Sequence, residues 1–139
     1  MISQLSHITL IVENLEKTSR LFEGLFRGRE IYSSGENTFS LSREKFFLIG
    51  DLWFCIMEGE SSSGRTYNHI AFKIEEDDYE IWLERIRGWG LEIRPERTRV
   101  PGEGRSIYFY DYDNHLFELH TGTLEERLTR YRQMSADRS

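Results

Sequence analysis

The stretch SHITLIV at residues 6–12 has a counterpart later in the chain, NHIAFKI at residues 68–74. In each copy a histidine, His7 or His69, opens a run of alternating apolar and polar side chains, which is typical of a half-buried β-strand. A helical pattern follows each copy. Each half then closes with a second apolar run, LWFCIM at residues 52–57 and LFELH at residues 116–120. The sequence therefore predicts one structural unit that occurs twice.

Composition limits the classes of protein to consider. The 139 residues, 38% of them hydrophobic, fit one domain built from two half-size modules. The net charge of −6 argues against nucleic-acid binding, which requires a basic face. There is no apolar run long enough to span a membrane and no signal-peptide pattern, so we expect no membrane partner. The single Cys55 cannot form an internal disulfide, which favours a reducing, cytoplasmic location. Its side chain is interpreted as a small buried hydrophobe.

For each module the sequence predicts a strand, a helix and about three further strands. In the first, Asn14 is an N-cap and Gly28 a stop for the helix, and in the second Asp77 or Asp78 is the cap and Gly90 the stop. Strand signals follow the first helix near residues 31, 39–41, 46–49 and 53–57, and the second near residues 93, 106–110 and 116–120.

The module boundaries follow from small polar residues and helix signals. We expect module one at about residues 1–59, a linker at about 60–65, module two at about 66–122, and a C-terminal helix and tail at about 123–139 that frays after Gln133. One such module cannot cover both faces of its sheet. Pairing of two modules, within or between chains, would form a cupped, barrel-like surface.

Two histidines and one glutamate form a candidate metal site. If the first and last strands of the modules line one cup, His7, His69 and Glu118 converge there. That set suits Fe(II), Mn(II), Ni(II) or Zn(II) and leaves coordination positions open. A single histidine that opens a strand is more often a core residue, but two at equivalent positions favour a metal, as does a glutamate inside an apolar strand. His120 is interpreted either as a residue that orients a ligand or as a packing residue.

Several motifs resemble the vicinal oxygen chelate superfamily, and within it the fosfomycin-resistance proteins. They are LSHITLIV at residues 5–12, RTYNHIAF at 65–72 and GEGRSIYFYDYDNHLFELHTGTLEERL at 102–128. Among these proteins the chain is most similar to the fosfomycin epoxide hydrolases of the FosX type. The segment that points to them is FSLSREKFFLIGDLWFCIMEG at residues 39–59, which contains Glu44.

This resemblance implies the fold and the roles of several residues. The fold would be α+β, with two βαβββ modules of the glyoxalase/bleomycin-resistance-like type and cupped mixed sheets, in a homodimer that exchanges modules. Mn(II) would be bound by His7 of one subunit and by His69 and Glu118 of the other. Glu44 would be the general base for water, with Thr9 near the epoxide. From its position alone, Glu44 would be interpreted as an exposed turn residue.

The resemblance also implies a phosphonate substrate, whose oxygens arginines and hydroxyls hold well. The candidate residues are Tyr67, Ser106, Tyr108 and Arg127. Arg97, and with it Arg99, is a further candidate in a loop that departs from the thiol-transferase pattern. The predicted reaction is metal-dependent addition of water to the epoxide of fosfomycin, which gives a vicinal diol and confers antibiotic resistance.

Three alternatives stay open at this point. The same fold could transfer glutathione or another low-molecular-weight thiol to fosfomycin, which product analysis distinguishes. Two histidines and one carboxylate also serve Fe(II) dioxygenases, which consume oxygen. A non-catalytic drug-binding protein would bind the antibiotic without changing it.

Overall fold

The computed structural model describes residues 1–97 and 99–138, which divide into two compact units. The first unit comprises Met1–Gly64 together with Tyr112–Asn114, and the second comprises Arg65–Asp111 and the residues from His115 onward. Each unit contains the predicted order of one strand, one helix and three strands. The α+β architecture of two βαβββ modules with mixed sheets is thereby confirmed.

The first unit is a four-stranded mixed sheet with one helix. Its elements are β1 (His7–Val12), α1 (Leu15–Gly24), β2 (Arg29–Ser33), β3 (Glu44–Ile49) and β4 (Leu52–Glu58). The strand order is β1-β4-β3-β2, with β1 parallel to β4 and the other pairs antiparallel. The alternation in β1 has the predicted effect, because Leu10 and Val12 are buried whereas His7 and Thr9 are exposed.

Helix α1 begins as predicted and ends earlier than predicted. The side chain of Asn14 accepts a hydrogen bond from the backbone N–H of Lys17 at 2.9 Å, which caps the first turn. The left-handed residue after the helix is Arg27 (φ 58°), and the N–H of Gly28 donates to the carbonyl of Phe22 at 2.8 Å. Gly28 is needed for close packing, since a Cβ there would lie 3.2 Å from the side chain of Ile49.

Two expectations for the first unit are wrong. Residues 39–41 form bends and not a strand, and Phe39 is 73% exposed because its apolar pattern has no neighbouring strand to pair with. Glu44 is not an exposed turn residue. It begins β3, exchanges backbone hydrogen bonds of 3.0 Å with the backbone and hydroxyl of Ser34, and is buried at 9% exposure.

The second unit repeats this arrangement. Its elements are β5 (His69–Lys73), a 3₁₀ turn (Glu76–Asp78), α2 (Tyr79–Gly88), β6 (Ile93–Arg94), β7 (Ser106–Tyr110), β8 (Leu116–His120) and α3 (Leu124–Asp137). The strand order is β5-β8-β7-β6, with β5 parallel to β8 and the other pairs antiparallel. The parallel pair places the strand that carries His69 directly beside the strand that carries Glu118.

The helices of the second unit differ from expectation in detail. Asp78 holds the N-cap position of α2 but makes no side-chain capping bond, and the 3₁₀ turn leads into the helix instead. Thr123 caps α3 by accepting the N–H of Glu126 at 3.1 Å. The expected fraying after Gln133 is wrong, because α3 continues to Asp137 through a segment without glycine or proline. Ser139 lies outside the described residues. In the part of the chain that the structure describes, no helix is both long and apolar enough to span a membrane.

Candidate metal and substrate site

His69 and Glu118 meet on one face of the second sheet. His69 Nε2 lies 3.0 Å from Glu118 Oε1. The other ring nitrogen, Nδ1, lies 2.7 Å from the backbone carbonyl of Tyr67. A carbonyl only accepts, so Nδ1 carries a hydrogen, and in the neutral form of the ring Nε2 presents a lone pair to Glu118. Two acceptors at this separation require a proton or a cation between them. Neighbouring ligands about 2.1 Å from one metal ion in octahedral geometry are about 3.0 Å apart, so the pair fits an octahedral metal ion.

The second oxygen of Glu118 is held by donors. Ser106 Oγ donates to Glu118 Oε2, and Arg99 Nη2 lies 3.4 Å from the same oxygen. Burial raises the pKa of Glu118, but the hydrogen bond from Ser106, the neighbouring imidazoles of His120 and His69 and the positive charge of Arg99 outweigh it, and the net pKa is lowered. The carboxylate is therefore ionised at neutral pH, as a metal ligand must be.

A chain of hydrogen bonds leads from Arg127 to Glu118. Arg127 Nη2 lies 3.2 Å from His120 Nε2, and His120 Nδ1 lies 2.8 Å from Ser106 Oγ. Because arginine only donates, His120 Nε2 accepts and Nδ1–H donates to Ser106. Burial lowers the pKa of His120, which is consistent with a neutral ring. These contacts favour the interpretation of His120 as a residue that orients a ligand.

A cavity of about 300 Å³ opens next to this chain. Its lining includes His69, Glu118, His120 and Arg127, with Thr123 and Leu124 at the start of α3. The cavity is of the size that holds a small organic molecule. The second unit thus brings two predicted metal ligands and one predicted phosphonate ligand to one space.

Tyr67 and Tyr108 form the neighbouring part of the site. Tyr67 OH donates to Tyr108 OH at 3.0 Å, and Arg99 Nη2 donates to the same oxygen at 3.1 Å. The phenol oxygen of Tyr108 thus accepts two hydrogen bonds, which leaves its own hydrogen for another acceptor. Burial, together with the nearby charge of Glu118, raises the pKa of Tyr108 to about 12. Tyr108 therefore stays protonated and can donate to an anion.

The two loop arginines take different places. Arg97 lines a second cavity of about 270 Å³ together with Arg94, Pro95 and both tyrosines, and it pairs with Glu103. Arg99 instead reaches Glu118 and Tyr108. The sequence offers Arg97 as the loop candidate and gives no signal for the contacts of Arg99 and Glu103, because the path of the loop sets them.

In the first unit, Cys55 links Thr9 and Glu44. Thr9 is the register partner of Cys55, and the side chains of Thr9 and Cys55 are hydrogen-bonded. Cys55 Sγ donates to Glu44 Oε2 at 3.6 Å. Burial and then the charge of Glu44 raise the pKa of Cys55 to about 11, so it stays a thiol. Cys55, interpreted above only as a buried hydrophobe, thus contacts both candidate catalytic residues.

His7 lies on the same exposed face of β1 as Thr9. Its ring packs 4.2 Å from that of Trp53, and Ser6 Oγ lies 3.0 Å from His7 Nδ1. Within residues 1–97 and 99–138 there is no ready-made group of three His, Cys, Asp or Glu side chains for a metal ion. His7 belongs to the first unit and His69 with Glu118 to the second, so the three-ligand set stays a prediction.

The sequence matches known proteins over nearly its whole length. Residues 4–119 match the Glyoxalase/Bleomycin resistance protein/Dioxygenase superfamily. Fosfomycin resistance protein FosX from Listeria innocua is 68% identical over 131 residues, which cover 94% of this chain and 98% of that protein. Metallothiol transferase FosB from Shouchella clausii is 35% identical, over 99% of this chain and 92% of that protein.

Solved structures show the same relationship. A crystal structure of a mutant of FosX from Listeria monocytogenes, complexed with Mn(II) and 1S,2S-dihydroxypropylphosphonic acid, has a TM-score of 0.88 and 61% sequence identity. That match covers 94% of this chain and 99% of the FosX chain. FosX from Mesorhizobium loti has a TM-score of 0.82 at 59% identity, over 93% of this chain and 99% of that one.

Proposed function

This chain belongs to the Glyoxalase/Bleomycin resistance protein/Dioxygenase superfamily and, within it, to the FosX fosfomycin resistance proteins, and we propose that it adds water to the epoxide of fosfomycin with the help of Mn(II). The observation that carries the proposal is the phosphonate bound to the FosX relative. A dihydroxypropylphosphonate is the vicinal diol that results when water opens the epoxide ring of fosfomycin. A thiol nucleophile would leave a sulfur adduct instead.

We assign the metal site to His69, Glu118 and His7. The facing lone pairs of His69 Nε2 and Glu118 Oε1, 3.0 Å apart, support the first two. When bound, Mn(II) supplies Lewis-acid stabilisation of the alkoxide that forms as the epoxide opens. Ser106, His120 and Arg99 keep Glu118 ionised and oriented. Ser106 gives its single hydroxyl hydrogen to Glu118, so we assign it to orienting this ligand and no longer to the phosphonate.

The phosphonate dianion is held by the polar wall of the cavity in this proposal. Arg127 lines this cavity, and Tyr108, which lines the neighbouring second cavity, supplies a neutral donor through its spare hydrogen. Tyr67 fixes the phenol of Tyr108 by donating to its oxygen. Arg97 lines the second cavity together with both tyrosines, and from there its charge attracts the anion. A substrate held at several points reacts from a fixed geometry.

Glu44 is the general base for water in this proposal. Cys55 occupies Glu44 Oε2, which leaves Oε1 to accept the proton of a water molecule. As that proton moves to Glu44, the water oxygen bonds to carbon and the C–O bond of the ring breaks. The resulting alkoxide then takes up a proton to complete the diol, and Glu44 releases its proton, which restores the carboxylate. Thr9 helps to fix the base through Cys55.

We further propose a homodimer in which the metal site is shared. His7 would come from one subunit, and His69 with Glu118 from the other. The division of the chain into two similar units, with candidate ligands in each, supports this arrangement. Closed two-fold dimers are the commonest oligomers. A cytoplasmic location likewise stays a prediction, based on the single cysteine.

Product analysis tests the reaction. Purified protein is incubated with fosfomycin and Mn(II), with and without glutathione, and the products are identified by ³¹P NMR and mass spectrometry. We expect the diol in both reactions at equal rates. A glutathione adduct, or turnover only when thiol is present, would identify a thiol transferase instead. Unchanged fosfomycin would indicate a dioxygenase or a non-catalytic drug-binding protein, and oxygen consumption would distinguish these two.

A further inference from the structure

Glu103 is the most deeply buried carboxylate among the described residues, with 0% exposure. It lies in the turn PGEG at residues 101–104, where Gly102 and Gly104 both have left-handed φ angles of 91° and 90°. A Cβ at Gly104 would lie 2.7 Å from the backbone nitrogen of Gly122, so only glycine fits beside the end of β8. The chain therefore turns sharply at this point and directs the side chain of Glu103 inward.

A buried carboxylate is costly unless donors compensate it, and Glu103 has three. The N–H of Val100 donates to Oε2 at 3.1 Å, and Arg99 Nη1 donates to Oε1 at 3.1 Å. Arg97 Nη2 pairs with Oε1 as well. Burial raises the pKa of Glu103, but the bonds from Val100 and Arg97 and the arginine charges outweigh it, and the net pKa is lowered. Glu103 is thus a fixed negative charge inside the loop.

The other end of the Arg99 guanidinium points into the candidate site. Nη2 lies 3.1 Å from Tyr108 OH and 3.4 Å from Glu118 Oε2, and the Arg99 side chain is only 12% exposed. The oxygen that Arg99 contacts is not the one that faces His69. Arg99 therefore leaves Glu118 Oε1 available to a cation, and it can act while a metal is bound.

We propose that Glu103 is a positioning residue that acts through Arg99. By holding Nη1, it keeps Nη2 between Tyr108 and Glu118, and so it orients a phosphonate donor and a metal ligand together. A planar guanidinium suits this task because its two ends have a fixed separation. The inference rests on the proposed function, which assigns Tyr108 to the phosphonate and Glu118 to the metal.

If Glu103 acted only through its negative charge, removing that charge would change the affinity for an anion in the opposite direction. Neutralising a carboxylate near the site removes repulsion, so a phosphonate dianion would bind more tightly. Loss of a positioning residue frees Arg99 and Tyr108 to reorient, so the dianion would bind more weakly. The direction of the change in affinity therefore separates the two roles.

The test measures methylphosphonate binding to Mn(II)-loaded protein by isothermal titration calorimetry, and Mn(II) binding by electron paramagnetic resonance. The variants are Glu103→Gln, Glu103→Asp, Arg99→Gln and the double variant Glu103→Gln/Arg99→Gln. We expect Glu103→Gln and Glu103→Asp each to weaken both affinities roughly tenfold, as for residues that support metal ligands. When Arg99→Gln is already present, adding Glu103→Gln should weaken each affinity by less than about a further twofold. The reason is that Glu103 acts only through Arg99 in this proposal.

Glu84→Gln is the matched control, because it removes an exposed carboxylate that pairs with Arg87 at 2.9 Å on α2. It should change neither affinity. Tighter methylphosphonate binding in Glu103→Gln, or an equal effect with and without Arg99, overturns the inference. If Glu103→Gln does not fold, Glu103→Asp is measured alone and combined with Arg99→Gln, and an equal loss of affinity in both backgrounds overturns the inference. These binding measurements do not depend on turnover, so the inference can fail while diol formation by the parent protein still supports the proposed function.

Discussion

Replacement of Ser106 by alanine tests how Glu118 is prepared for metal binding. Ser106 is 1% exposed, donates to Glu118 Oε2 and accepts from His120 Nδ1 at 2.8 Å. The substitution removes one donor from the carboxylate and leaves the His120 N–H without its acceptor. A buried donor without a partner costs about 1–3 kcal/mol of stability. Loss of a residue that supports a metal ligand typically weakens metal binding about 10–100-fold.

The assay combines Mn(II) titration with thermal unfolding. Ser19→Ala is the matched control, since Ser19 is also a buried serine and donates to the carbonyl of Leu15 at 2.6 Å within α1. We expect both variants to lose stability, but only Ser106→Ala to lose Mn(II) affinity. An Mn(II) affinity of Ser106→Ala within about twofold of the parent value would refute the role of this hydrogen bond.

Glu44→Gln should keep Mn(II) binding and lower the rate of diol formation about 10²–10⁴-fold, and a parental rate would show that another group is the base. Cys55→Ala should lower the same rate by a smaller factor, measured by ³¹P NMR, because Glu44 Oε2 loses its donor; an unchanged rate would contradict that. The folded pKa of Glu103 lies below its ordinary 4.5, so its stabilisation is present above that value and is lost as the pH falls through the folded pKa. The free energy of unfolding of Glu103→Gln should therefore fall less steeply with decreasing pH than that of the parent protein. An identical pH profile for the two proteins would refute this.

The sequence patterns predict the parts of the fold that depend on local chemistry. Alternation along residues 7–12 predicts which side chains of β1 are buried, and the side chain of Asn14 predicts the start of α1. The pattern at residues 39–41 fails because an apolar alternation does not reveal whether a partner strand exists. The sequence pattern does not predict the burial of Glu44 for a related reason, because its partners, Ser34 and Met57, are distant in sequence.

The residues of the candidate site likewise fall into those that the sequence predicts and those that it does not. His69 could be predicted because it opens β5 as His7 opens the equivalent β1, and Glu118 because it is an acidic residue inside an apolar strand; the structure brings the two within 3.0 Å. The sequence does not predict the roles of Arg99 and Glu103, because they depend on the path of a loop. It does not predict the role of Cys55, because that depends on the register between strands. The only local signal for Glu103 is an acidic residue between two glycines.

Subunit complementation tests the shared metal site most directly. His7→Ala and His69→Ala subunits, each inactive alone, are unfolded together, refolded and assayed for diol formation with Mn(II). If one subunit supplies His7 and the other His69, mixed dimers contain one intact site, and random pairing restores about a quarter of the parental activity. Mixtures of His69→Ala with Glu118→Gln should stay inactive, because both ligands then come from the same module. No recovery from the first mixture would contradict the shared site.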